Sequence, residues 1–490
     1  MCENLRPKGI MVASIQRTTY LDKIIERGIL FLLIFTPLAI GTVQPWSISI
    51  MEIAAFIVFG AWLLKSGAGI GKEASGVGSR EPGVGDKAMI ILLAGFALLI
   101  ILQRVPLPPS VLFVLSPGTS SLYSQLSPPG YTSWRTLSIY PEASTEELFK
   151  LLAYAAVFIV IINHYRTREQ VSSIIRAIVV MGCFLAVFAV VQKMTWNGNL
   201  FWVYPIRGGL NPMGPYINRN HFAGYLEMAI PLALAMVLYR ATRLEIPERT
   251  PFSERINAMA GSDSFSAIVF FSLAALVMSG ALFMSLSRGG MLGFAAGLAL
   301  FALMARSRRS LRKRTGMLIV AGLAIFVFVI LAGWGRIEDR FAELGEETKT
   351  KRIEIWTDSM GIVRDFPLWG TGLGTFSDTY LRYQSTSPQL LFDHAHNDYI
   401  ELLTDTGLVG FTLVMGMIGL FWHSLVKAWK ERRSRFVTSM ATGGFAAVAA
   451  LSVHSITDFN LHIPANALLL TIIAAITYAT VFNVNGGRSA

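Results

Sequence analysis

An all-α protein that crosses a membrane about twelve times is what this sequence predicts, because apolar runs near the ~20 residues of one bilayer crossing recur along it. Two further observations agree. Hydrophobic residues make up 53% of the 490-residue chain and charged residues only 15%, at a mean hydropathy of +0.53. A soluble chain of this length carries charge nearer a quarter of its residues. The cations are also sorted into alternate loops, as they are where one side of a membrane retains them.

The expected spans are 28–43, 46–64, 88–104, 148–163, 172–192, 222–239, 265–285, 289–305, 316–334, 407–426, 437–455 and 463–482. Gln44-Pro45-Trp46 joins the first two in a tight turn. The first span reads as a stable crossing and not a cleaved signal, since a polar tail precedes it and no small-residue cleavage site follows. The chain thus divides into a cytoplasmic N-terminal tail (1–27), the first nine spans (28–334), a large outer loop (335–406), three spans (407–482) and a cytoplasmic C-terminal tail (483–490). Segment 105–147, rich in Pro, Ser and Tyr, reads as an ordered outer loop with a short helix, and the Gly-rich 67–87 as a flexible linker. Cys2 and Cys183 form neither a disulfide framework nor a metal motif.

Orientation follows from charge. Arg17, Lys23 and Arg27, then Lys65 and Lys72, Arg166 and Arg168, Arg240 and Arg243, RSRRSLRKR (306–314), and Lys427 to Arg435 all fall on one side. The positive-inside rule makes that side cytoplasmic and puts both termini there. Most of the net charge of +11 is therefore a topology signal and not a nucleic-acid surface.

The polar chemistry collects on the other side. His221, His394, His396, His454 and His462 all lie at outer ends of spans, whereas mid-depth positions are nearly free of ionisable groups. That argues against an ion-coupled transporter, whose sites lie near the midplane. A small-anion transporter with an outer vestibule of His and Arg is the alternative outside enzymology. Arg288, in SLSRGG (285–290), and Arg219, in NRNHFAGYLEM (218–228), sit at outer span starts where the positive-inside bias disfavours cations. They read either as snorkelling residues or as the holders of an anion, since the guanidinium fork matches phosphate.

Residues 391–410, LFDHAHNDYIELLTDTGLVG, are the most polar stretch beside a span. His394, His396 and Asp398 could bind a metal, because alternate residues of an extended chain face one way. The histidines could instead be structural, or one could serve as a base, its pKa lying near neutrality. PLWGTGLGTF (367–376), outside the cytoplasm, reads as a turn-rich loop and not a nucleotide site.

These residues resemble the O-antigen ligase and O-antigen polymerase superfamily of bacterial inner-membrane glycosyltransferases. The ligase pattern pairs His with Asn, Ser or Gln, spaced nine residues from Gly-x-x-Gly; His396-Asn397, Gly407 and Gly410 fit it. The large outer loop, the SRG turn, the NRNH segment and HSITDFNLHIPAN (454–466) are also similar to the family. The resemblance covers most of the chain from about residue 140 onward. It implies a GT-C-like membrane fold and a polyprenyl (undecaprenyl) pyrophosphate-linked glycan donor. It further implies inverting, metal-independent transfer on the periplasmic face, with no cofactor. The acceptor would be lipid A-core or another glycan, lipid or protein hydroxyl; exopolysaccharide or O-antigen polymerisation is the alternative with the same donor chemistry. On this reading His396 is the base, with His394 and Asn397 beside it, and Arg219 and Arg288 bind the pyrophosphate. His221, Asp398, Glu401 and His454 support the site.

Overall fold

The computed structural model describes residues 19–68, 84–128, 133–206, 212–244, 262–309, 311–312, 346–385, 389 and 391–484. Among these, helices dominate: α1 (Tyr20–Leu38), α2 (Pro45–Gly67), α3 (Val84–Gln103), α4 (Pro109–Leu115), α5 (Pro117–Leu126), α6 (Pro141–His164), α7 (Arg168–Met194) and α8 (Arg219–Ala241). Then come α9 (Asp263–Met284), α10 (Arg288–Ser307), α11 (Glu346–Asp365), α12 (Phe376–Tyr380), α13 (Asp398–Glu431), α14 (Arg435–His454) and α15 (Pro464–Phe482). One two-stranded ribbon, Asn199–Leu200 with Tyr204–Pro205, decorates the loop after α7.

Eight of the described helices are long and apolar enough to cross a membrane: α2, α7, α8, α9, α10, α13, α14 and α15. The expected spans at 28–43, 88–104 and 148–163 fall on α1, α3 and α6, and the one at 316–334 lies outside the described residues. Segment 105–147 holds two short helices, α4 and α5, where the sequence suggested one.

Burial ranks the helices. The apolar window of α8 is 89% buried and that of α14 78%, whereas that of α13 is 11% buried. The core therefore lies along α8, α14 and α15, and α13 flanks it. Small residues let the central helices approach closely, as is usual where lipid supplies no hydrophobic drive. Gly289, Gly293 and Gly297 recur every fourth position of α10; a Cβ at Gly297 would stand 2.8 Å from the Ala446 carbonyl of α14.

Helix starts are capped by residues the sequence supplies for that purpose. Thr19 with Asp22 and Thr167 with Gln170 form capping boxes on α1 and α7. Asn218, Ser287 and Asn397 cap α8, α10 and α13, and these three starts share one end of the bundle with the C-terminus of α14. Gly407 breaks α13 internally at φ 62° and ψ −171°, which only glycine adopts readily. A Cβ there would lie 2.4 Å from the Leu368 carbonyl. The break lets the PLWGTGLGTF loop pair with the interrupted helix through Leu408 N–H to Pro367 O (2.8 Å) and Gly372 N–H to Asp405 O (2.9 Å). Buried Gln103 ties both strands of this junction by donating to the carbonyls of Trp369 (2.7 Å) and Asp405 (3.0 Å).

Candidate active site

The turn between α14 and α15, HSITDFNLH, is the centre of the site. Its Asp458 is 1% exposed, and three polar residues from two other parts of the chain converge on it. His221 Nε2 and His396 Nδ1 each lie 3.6 Å from Asp458 Oδ1, and the Asn220 amide donates to Oδ2. Burial raises a carboxyl pKa, but the two imidazoles outweigh burial here and hold Asp458 well below the usual carboxylate range. It is an anion at neutral pH.

A second cluster adjoins it. His394 Nδ1 meets Glu401 Oε1 at 2.7 Å, and Glu401 Oε2 accepts the Ala395 N–H at 2.9 Å. His462 Nε2 approaches Glu401 at 3.3 Å and Asp398 at 3.8 Å. Burial opposes charge on both histidines. For His394 the contact with Glu401 wins and raises the pKa, whereas for His462 burial wins and lowers it.

Phe459 separates the clusters. His394 stacks on its ring at 4.1 Å, and His221 and His396 meet its edges at 4.6 and 4.9 Å. The two histidines of HAH thus serve different carboxylates. The sequence suggested that they face one way, as in a regular strand. His396 instead takes a left-handed conformation, φ 51°, which turns its ring toward Asp458. Asn397 is committed to capping α13: its Oδ1 accepts from Tyr399 N (3.0 Å) and Ile400 N (3.1 Å). Asp398 accepts the Leu461 N–H at 3.2 Å and its own N–H reaches Ser455 O at 3.0 Å, stapling HAHND to the α14–α15 turn.

Arg219 and Arg288 are the first residues of α8 and α10, where helix dipoles favour anions. These starts lie side by side: a Cβ at Gly290 would fall 2.6 Å from the Cβ of Ala223. Each arginine is also one residue from a contact with the central turn. Asn220 binds Asp458, and Gly289 abuts His454 and Thr457.

The His394, His396 and Asp398 metal set suggested by the sequence does not gather. Among the described residues, the trio whose donor atoms lie within 4.8 Å of one another is His394, Glu401 and His462. Asp458, Phe459 and the role of His462 are features of the site that the sequence did not single out. The signal for Asp458 was present, as an aspartate in a polar turn before the last apolar run.

Residues 273–415 match the family model described as O-antigen ligase. Over that stretch the chain is similar to the O-antigen ligase and polymerase superfamily. The O-antigen ligase match spans the SRG turn, the HAHN segment and both Gly407 and Gly410 of α13, while Arg219, His221 and Asp458 lie outside it. That similarity suggests a glycosyltransferase-like membrane enzyme of O-antigen ligase or polymerase type and, in general terms, lipid-linked glycans and glycan acceptors. A search of curated proteins returns no match.

Proposed function

We propose that the protein transfers a glycan from a polyprenyl pyrophosphate to an acceptor hydroxyl on the periplasmic face of the inner membrane, as an O-antigen ligase with a GT-C-like fold. One observation carries the proposal: the turn holding Asp458 touches the starts of both arginine-bearing helices and the ring of His396. A base and an anion site are thereby joined by one rigid element. The His-Asn and Gly-x-x-Gly spacing favours ligase over polymerase.

The roles follow from what the reaction needs. The acceptor oxygen bonds to the anomeric carbon while the bond from that carbon to the pyrophosphate oxygen breaks. His396 takes the hydroxyl proton on Nε2, the nitrogen turned away from Asp458. Asp458 stabilises the imidazolium so formed. Arg219 and Arg288, aided by two helix N-termini, neutralise the departing polyprenyl pyrophosphate. Attack opposite the leaving group inverts the anomeric centre. Asn397 and Asp398 orient His396, and His394 with Glu401 braces the segment. No divalent ion is required, because the arginines meet the phosphate charge.

The test uses purified protein, a synthetic lipid-linked glycan and a soluble acceptor. His396→Ala should keep donor binding and lower transfer by roughly 10²–10⁴, the usual loss of a general base. Transfer should survive a chelator. Near-normal transfer by His396→Ala would remove the base assignment, and chelator-sensitive transfer restored by one metal would point to His394, Glu401 and His462 as ligands.

A further inference from the structure

About two helical turns into α8 from Arg219, Glu227 pairs with His454, the last residue of α14. Both side chains are 0% exposed, with Glu227 Oε1 and His454 Nδ1 3.1 Å apart. The site chemistry above uses neither. Burying an ionisable pair where apolar packing would serve is costly, and in a membrane protein such pairs mark function.

What the pair faces is informative. Glu227 Oε2 and His454 Nε2 have no hydrogen-bond partner among the described residues. Both lie against the glycine stripe of α10. A Cβ at Gly289 would stand 2.5 Å from His454 Cδ2 and 2.7 Å from its Nε2, and a Cβ at Gly293 would stand 2.7 Å from Glu227 Oε2. The imidazole edge is therefore the surface on which the backbone beside Arg288 rests. The main chain of the same histidine anchors the Asp458 turn, its carbonyl accepting the Thr457 N–H at 2.9 Å and the Thr457 hydroxyl at 3.1 Å. From the other side, Arg352 donates to the Thr457 carbonyl at 2.6 Å.

We infer that the Glu227–His454 pair is a positioning element that sets the distance between Arg288 and the His396–Asp458 pair. Glu227, on α8, fixes the tilt of the His454 ring through Nδ1. The ring edge fixes how closely α10 approaches, and the His454 carbonyl fixes the turn that carries Asp458. Three helices are registered through one imidazole. Glycine at 289 is needed because any side chain there would push the Arg288 turn away from the ring. The inference rests on the reading of Arg288 as a ligand of the donor pyrophosphate.

The experiment measures donor KM and kcat on the monodisperse full-length protein in detergent. The variants are His454→Ala, His454→Asn, Glu227→Ala, the double alanine variant, Gly289→Ala and Arg288→Ala. His454→Ala should raise donor KM about tenfold, within the coupling range of contacting residues, while changing kcat much less. His454→Asn, which keeps a donor near the Nδ1 position, should recover most of the loss. The double variant should be no worse than the worse single one, because the two residues act as a unit. Gly289→Ala should reproduce the KM defect with the pair intact. A purely structural pair would instead lower the yield of folded protein and leave KM unchanged in what remains, which would overturn the inference. Should Arg288→Ala raise KM while His454→Ala and Gly289→Ala do not, positioning alone fails. Should Arg288→Ala leave KM unchanged, the anion-site reading fails and the inference with it.

Discussion

Replacing Asp458 with asparagine removes one charge from the centre of the site and almost no volume. The amide oxygen can still accept the Phe459 N–H, now 2.9 Å from Oδ1, and Asn220 can turn its own amide to suit the new donor. What is lost is the anion 3.6 Å from His396 Nδ1. Two unit charges about 4 Å apart interact by roughly 4 kcal/mol at an effective dielectric near 20. The His396 side chain is 28% exposed, so solvent takes back part of this, leaving about 2 kcal/mol. That stabilisation exists only once the imidazole has accepted the acceptor proton, so it belongs to the transition state. It corresponds to about a thirtyfold fall in kcat. Donor KM should change little, because Asn220 keeps a hydrogen-bond partner at position 458 and both arginines remain. The carboxyl lies well below its ordinary 3.8 in the folded protein. Its contribution is therefore present above that value and lost only as pH falls through the lower folded one, far from assay conditions. Single-turnover transfer at saturating donor is the assay, with thermal unfolding as a check on folding. A kcat within about threefold of wild type, in a folded protein, would refute the view that Asp458 supports His396.

Further outcomes follow from other contacts. Arg288→Lys keeps charge but loses the planar fork, and donor affinity measured by titration should drop about tenfold, since a charge-assisted hydrogen bond contributes ~1.5–3 kcal/mol; unchanged affinity argues against an anion site. The His394 pKa is raised above 6.5, so its pairing with Glu401 stabilises fully below that value and is lost as pH rises through the folded one. The unfolding temperature in detergent should accordingly decline on the alkaline side, and Glu401→Gln should flatten that decline; identical profiles would dismiss the pairing. Ser385 and Ser307 are both exposed. Single cysteines there, without Cys2 and Cys183, should differ in intact spheroplasts, an impermeant thiol reagent labelling only position 385; labelling only at 307 would invert the proposed orientation.

The membrane class was legible because apolar length and cation sorting are local signals that survive without knowledge of packing. The site was legible in its members and not in its pairings. His396 and Asp458 are 62 positions apart in the chain, and only the packing of α13 against the α14–α15 turn brings them together. The even spacing of HAH suggested a strand-like pair, but one left-handed residue sends the rings to different carboxylates, a choice no periodicity encodes. Glu227 finds its partner 227 positions later, a pairing that only tertiary structure makes apparent.

The break at Gly407 also bears on how α13 matches a bilayer. Unbroken, its 34 residues would run about 51 Å, far beyond the ~30 Å hydrocarbon core. The portion after the glycine, roughly 24 residues, spans about 36 Å and matches that thickness with modest tilt. The portion before it carries Asp398, Glu401 and Asp405, all buried in protein. A straight helix would have to sink those acids into lipid or leave its apolar end standing in water. One flexible residue thus measures out the hydrophobic length, and hydrophobic mismatch would press any stiffer substitute at 407 toward tilting the whole helix and the histidines mounted on its end.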